Sequence, residues 1–216
     1  MKTIIVGVVV MGSILVSDGM AQMKPLKIEL PTAMFVGTPK TIKSANLEAP
    51  LKGKRAPVMV PPGVENVAID ADVSSSDSFP IIGDLELATD GDKEAADGSY
   101  VELGPMKQHV QIDLGETRQV FAVAIWHFHS QARVYKDVVV QLADDEDFIT
   151  NVRTVFNNDH DNSIGLGVGA DKEYIETNDG RAFAVKGEKA QYVRLYSNGS
   201  TSSEMNHYVE VEVYGK

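Results

Sequence analysis

Residues 109–115, HVQIDLG, decide the fold class. Val110, Ile112 and Leu114 alternate with His109, Gln111 and Asp113, and a period of two marks a strand with one face in a core and the other toward water. The closing stretch 208–215, YVEVEVYG, repeats the pattern: Val209, Val211 and Val213 alternate with Tyr208, Glu210, Glu212 and Tyr214. Outward from these two, further strands are expected at 120–128, 136–142, 152–156, 182–185 and 192–196. Turn-rich stretches such as NNDHDNSIG, NDGR and SNGSTSSEMN separate them. Past the first 21 residues no helical apolar stripe is sustained for three turns, and no internal period is found. Several short strands within about 150 residues predict an all-β, antiparallel sandwich or jelly roll.

Composition narrows the function classes. The chain has 216 residues, 43% hydrophobic and 24% charged, which argues against wholesale disorder, a collagen repeat or a polytopic membrane protein. With 31 acidic against 20 basic side chains and a net charge of -11, the surface repels a phosphate backbone, so nucleic acid is not an expected partner. The absence of cysteine excludes disulfides, thiolate zinc sites, a lipid-modified cysteine and a cysteine nucleophile. Any chemistry must use oxygen and imidazole.

Two segments precede the body. Residues 1–21 place Lys2 before an apolar run that stops at Ser17 and Asp18, followed by the small residues Gly19 and Ala21. That is the pattern of a secretory signal peptide cut after Ala21, and the run is shorter than the roughly 20 apolar residues of a spanning helix. A secreted or periplasmic protein with no membrane span after cleavage is expected. Residues 22–64 hold seven of the nine prolines and seven Lys/Arg against two Glu. Proline fixes φ and removes a donor, so this basic arm is expected to be extended, either lying along the acidic body or serving as a linker. The body, 65–216, is strongly acidic.

The order of motifs in the body resembles the factor V/VIII type C, or discoidin, superfamily of galactose-binding-like domains, which includes bacterial carbohydrate-binding modules. The matching pieces are NVAIDADVSSSDS from Asn66, LATDGD from Leu87, VQIDLG from Val110, QVFAVAIWHF from Gln119, VVVQLADDEDF, QYVRLY and EVEVYG. The resemblance implies a jelly-roll-like sandwich of about eight strands whose chain ends lie together, with loops at one end binding sugars, proteins or lipids. It also implies a structural Ca²⁺ held by an aspartate-glycine turn and a late glutamate. Here these are Asp90, Gly91 and Asp92, then Glu210, and oxygen donors of this kind suit a hard cation. The family's threonine is replaced by Ala95, which offers only its backbone carbonyl, and a solvated acidic turn is the alternative. In sugar-binding members a histidine, an arginine, an asparagine and an aromatic hold the ligand; here His129, Arg133, Asn158 and Tyr208 are the corresponding candidates.

Other patterns have chemistry of their own. In WHFH, alternation puts His127 and His129 on one strand face and Trp126 and Phe128 on the other; two histidines alone make an incomplete metal site. Asp159, Asp161 and Ser163 resemble the start of an EF-hand, but Ile164 and Ala170 stand where glycine and glutamate are required. GLGVG lacks the strand-turn-helix context of a nucleotide loop. The loops 157–171 and 197–208 are rich in short polar residues and are of the kind that carries function on a rigid scaffold. With His129, they are expected to form a binding rim that includes Asn157, Asn158, His160, Asn162, Asn206 and His207; ordinary turn chemistry is the competing explanation. Asn198-Gly-Ser200 is a glycosylation sequon, meaningful only in a eukaryotic secretory path.

No paired-carboxylate glycosidase motif and no GxSxG elbow occur. The expectation is a secreted, non-catalytic module that binds a glycan or polysaccharide and carries calcium. The alternatives are a cell-envelope structural or protein-interaction domain and, more distantly, a metal-dependent hydrolase using His127, His129 and the Asp159 to Asp161 loop.

Overall fold

The computed structural model describes residues 22–35 and 42–216; the expected signal peptide lies outside the described residues. In chain order the strands are β1 (Lys24–Pro25), β2 (Met59–Val60), β3 (Glu65–Asn66), β4 (Asp72–Ser75), β5 (Val101–Pro105), β6 (Gln108–Trp126), β7 (Val139–Ala143), β8 (Arg153–Asn157), β9 (Arg181–Ser197), β10 (Met205–Tyr208) and β11 (Glu210–Gly215), with a 3₁₀ turn at Leu85–Ala88. A seven-stranded sheet runs β3-β11-β6-β9-β7-β8, with β4 added alongside β6. β10 and β5 pair antiparallel as a second layer, and β1 pairs with β2. This is the antiparallel β-sandwich expected from the periodicity.

Two expected pairs of strands are each one long strand. HVQIDLG and the following QVFAVAIW form the 19-residue β6. Its register against β9 shifts between Asp113 and Arg118, beside Gly115 at φ 75°. Such an irregularity bends a strand without ending it, so β6 and β9 both continue around the core. Val110, Ile112, Leu114, Val123 and Ile125 point inward and meet Leu103, Leu142, Val193, Leu195 and Val213.

The closing stretch departs from simple alternation. Tyr208 joins the main core, Val209 joins a second apolar cluster on the opposite face, and Val211 and Val213 return to the main core. The break falls where the chain leaves β10, paired with β5, for β11, paired with β6. β11 is also buried on both faces, with Glu210 at 0% and Glu212 at 5% exposure, because other segments cover its outer side.

One cover is the Pro-rich arm. Leu26, Ile28, Val58 and Val64 pack on Ala122, Ala124, Trp126 and Tyr214, and burial of apolar surface is the main force holding such a segment. Polar contacts fix its register. Leu26 N–H donates to Val58 O, Thr32 N–H donates to Glu94 Oε1, and Asn178 Nδ2 donates to Pro31 O. The ionic contact runs opposite to the charge of the two segments: Glu48 of the arm pairs with Arg181 of the body at 3.3 Å and with Arg55 of the arm at 2.5 Å. Lys24, Lys27, Lys43, Lys52 and Lys54 are exposed. Among the described residues no helix is long and apolar enough to cross a membrane.

Candidate functional site

The acidic turn reaches the last strand as a nearby pair of segments. Gly91, at φ 87°, turns the chain so that its N–H donates to Glu210 Oε2 at 3.1 Å. Asp90 Oδ1 accepts from Asp92 N–H at 2.8 Å, and Asp92 Oδ1 accepts from Glu94 N–H at 2.9 Å. Glu210 is fully buried and its Oε1 has no hydrogen-bond partner among the described residues. Burial, reinforced by Glu212 and Asp90, pushes its carboxyl up to about 9 despite the Gly91 N–H and the Lys93 charge. An isolated buried carboxylate is costly unless a positive charge joins it. Lys93 is committed to Glu212 at 2.7 Å. Glu210 Oε1 is thus an orphaned buried carboxylate oxygen near the turn that carries the exposed Asp90 and Asp92, but the three carboxylates do not stand within 4.8 Å of one another as a ready-made ion site. The backbone is less free than the resemblance implies, since Ala95 O accepts from Ser130 Oγ and Lys93 O faces His129 Nε2 at 2.9 Å.

His129 is thus a buried support for this turn. The chain after β6 sends the two histidines of WHFH to different partners. His127 Nδ1 lies 2.6 Å from Glu176 Oε1, both groups being wholly buried, and its ring stacks on Tyr135 at 4.2 Å. They share no partner. Among the described residues, the group of carboxylates close enough to hold an ion comprises Asp137, Asp159 and Asp161, with neither histidine in it.

A second cluster lies around the loop that follows β6. The Arg133 guanidinium lies 4.6 Å over the Phe128 ring, and Phe128 meets Tyr100 at 5.1 Å and His207 at 5.7 Å. His207 bridges two polar groups, with Nε2 2.8 Å from Glu102 Oε2 and Nδ1 2.9 Å from Tyr135 Oη. A neutral ring satisfies both: Nε2–H donates to Glu102, and the tyrosine hydroxyl donates to Nδ1. Burial first, then the Arg133 charge, holds this imidazole down at about 4. Arg133 is 6% exposed, yet its Nε has no hydrogen-bond partner among the described residues. Planar faces, a fixed charge, a half-buried carboxylate and a spare donor suit a polyhydroxylated ring.

The expected rim is only partly assembled. Arg133 and His207 come together. Asn158 instead pins the start of β7: its Oδ1 accepts from Val138 N–H at 2.6 Å and its N–H donates to Val138 O. His160 is half-buried, and it shares no hydrogen bond or ring contact with Arg133 or His207. Tyr208 is a core strut, donating to Leu195 O and meeting Ser197 Oγ. Asn206 is likewise buried and clamps three segments through Ser197, Gly199, Gly104 and Met106. Asn158, Asn206 and Tyr208 are thus spent on holding the fold. Tyr100 and Glu102 were missed, although Val101 and Leu103 alternate around Glu102 as in the other strands.

Comparison with known proteins places the fold. The chain is similar to a Family 89 glycoside hydrolase from Clostridium perfringens (TM-score 0.51, 18% identity), covering 70% of this chain but only 14% of the hydrolase. It is also similar to chitosan-binding module 1 from a chitosanase/glucanase of Paenibacillus sp. IK-5 (TM-score 0.50, 18% identity), covering 70% of this chain and 99% of the module. A fucose-binding module of Streptococcus pneumoniae matches at TM-score 0.50 and 19% identity, covering 69% of this chain and 97% of the module. No protein-family model matches the chain, nor does any curated protein sequence. The body has a galactose-binding-like β-sandwich fold.

Proposed function

We propose that this galactose-binding-like sandwich is a secreted, non-catalytic carbohydrate-binding module, with its glycan site at Tyr100, Glu102, Phe128, Arg133 and His207. The observation that carries the reading is the Arg133 guanidinium over Phe128, walled by Tyr100 and His207, with a buried Nε that has no hydrogen-bond partner among the described residues. A sugar hydroxyl would satisfy that donor, and the aromatic faces would pack on the apolar side of a pyranose. The likeness to modules that bind chitosan and fucose supports the class of ligand; the sugar itself is left to experiment. Affinity electrophoresis and a glycan array with the full chain test it. The expected result is retardation or binding by a neutral glycan, reduced at least tenfold in Arg133→Lys and Phe128→Leu, since bidentate and stacked roles of arginine do not pass to lysine. Silence across a broad panel would overturn the reading.

Calcium is proposed at the orphaned Glu210 Oε1, where Asp90 and Asp92 would have to draw in on binding and Ala95 would contribute at most its backbone carbonyl. The ion would supply positive charge to the buried carboxylate and hold the turn against β11. The exposed lysines of the arm favour a second reading, in which the arm captures an acidic envelope protein. Deleting the arm would uncover Trp126 and confuse the test. Pull-down from envelope extract with Lys24, Lys27, Lys52 and Lys54 changed to serine is the cleaner measurement, and unchanged capture counts against this role.

A further inference from the structure

The outer face of the large sheet is divided between two surfaces. Over β11 and the second half of β6 it is apolar and covered by the arm. Over β4, the first half of β6, β9, β7 and β8 it is polar. The register aligns Ser74, Gln111, Arg194, Gln141 and Thr154 in one row across five strands, with Asp72, Asp113 and Tyr192 in the next. Alternation directs both rows away from the core, because their neighbours Ile112, Val193 and Leu142 point into it. A groove of about 170 Å³ lies in this face, lined by Asp72, Ser74, Gln111, Asp113, Glu146 and Tyr192.

Its polar groups are fixed in advance. Arg194 holds the Gln111 carbonyl through Nε at 2.7 Å, donates to Tyr196 Oη and Glu146 O, and lies 4.0 Å over the Phe148 ring. Four of its five donors are spent within the protein. Gln111 is 5% exposed, and with its oxygen committed to Arg194 the end left without a protein hydrogen bond is the NH₂. Asp113 Oδ1 accepts from Gly115 N–H and Gln191 Nε2. None of Asp72, Asp113 and Glu146 belongs to an ion pair among the described residues. The Tyr192 phenol is pushed up by burial and by Asp113 and Glu146.

We infer that this groove is a second carbohydrate site, separate from the cluster at Arg133, and that it takes an amine-bearing sugar: a glucosamine residue of a polysaccharide. Asp72 and Asp113 receive the ammonium group, which complements their uncompensated charge. The Gln111 NH₂ and the Ser74 hydroxyl bind sugar hydroxyls, and the Tyr192 ring offers an apolar wall. A bare cation would leave the Gln111 donor unused, and a linear polyamine has no oxygen for it to bind.

Isothermal titration of the full chain with a β-linked glucosamine trimer tests the site against two controls, the fully N-acetylated trimer and spermidine. The expected result is binding of the glucosamine trimer that weakens with added salt, with both controls at least tenfold weaker. Asp72→Asn with Asp113→Asn, and separately Tyr192→Ala, should each weaken it about tenfold or more, one tenfold step being about 1.4 kcal/mol. Asp72 is exposed and asparagine keeps its shape, so Asp72→Asn alone guards against a folding artefact. Equal binding of either control, unchanged affinity in the variants, or no binding of the amine overturns the inference. Neutral-glycan binding at the Arg133 cluster is measured on the same protein and is unaffected by Asp72→Asn, so either site can fail while the other stands.

Discussion

Glu210 in the last strand accepts a hydrogen bond from the backbone N–H of Gly91, 119 positions earlier, at 3.1 Å. The contact closes the sandwich by tying β11 to the acidic turn, and it leaves Glu210 Oε1 buried with no hydrogen-bond partner among the described residues. Burial keeps this group protonated at neutral pH, and ionising it in place is costly.

Calcium should relieve it. The folded pKa of Glu210, about 9, lies above the ordinary 4.5, so the native state holds the extra proton and metal-free stability falls as pH rises from about 4.5 through about 9. At a hundredfold excess over Kd, calcium should add about 2.7 kcal/mol, a Tm rise of roughly 5–10 °C. Differential scanning calorimetry at pH 8 with calcium and with EDTA checks this. Glu210→Gln should abolish the rise; a Tm indifferent to calcium in the parent protein would remove the metal from the account.

The opposite pH dependence is expected from His207. Its folded pKa, about 4, lies below the ordinary 6.5, so the native state resists protonation and stability is lost as pH falls from about 6.5 through 4. His109, also held at about 4 by burial and by Arg194 and Lys107, adds to the same slope. Chemical denaturation at pH 7, 6 and 5 should show a falling midpoint. Titration of His207 by NMR near its ordinary value would contradict the neutral bridge between Glu102 and Tyr135.

Asn206→Ala should cost about 3–5 kcal/mol, since it removes three buried hydrogen bonds and one part-buried one and each orphaned partner carries a desolvation penalty. Urea unfolding gives the value. A cost below about 1 kcal/mol would return Asn206 to the class of ordinary loop residues.

Gly180→Ala tests the fit of Trp126. Gly180 sits at φ 58°, and a Cβ there would lie 2.5 Å from the indole ring, whose Nε1 donates to Asn178 O at 3.0 Å. Left-handed strain of about 1–2 kcal/mol plus the clash should lower stability by at least about 2 kcal/mol, with a change in tryptophan fluorescence. An unshifted emission spectrum and unchanged Tm would show that the ring has room to move.

The fold was readable because strand alternation is a local property. Val110, Ile112 and Leu114 announce their face with no knowledge of their partners, whereas the pairing of the aspartate-glycine turn with Glu210, 119 positions after Gly91, was legible only through the family resemblance. The contents of a cleft are not local. Asn206, His207 and Tyr208 are consecutive residues of β10, yet one is a backbone clamp, one faces Phe128 and Arg133, and one fills the core. Their roles follow from where β10 meets β5, which no sequence period records. The arm shows the same division: its prolines specify extended chain, whereas its seat on Trp126 depends on an apolar outer face formed only when β6 pairs with β11. Sequence alone determined the β-rich class and the acidic turn, because these depend on neighbours along the chain. Tertiary structure decided which polar side chains are spent inside the protein and which remain for a ligand, because a hydrogen bond is allocated by distance in space.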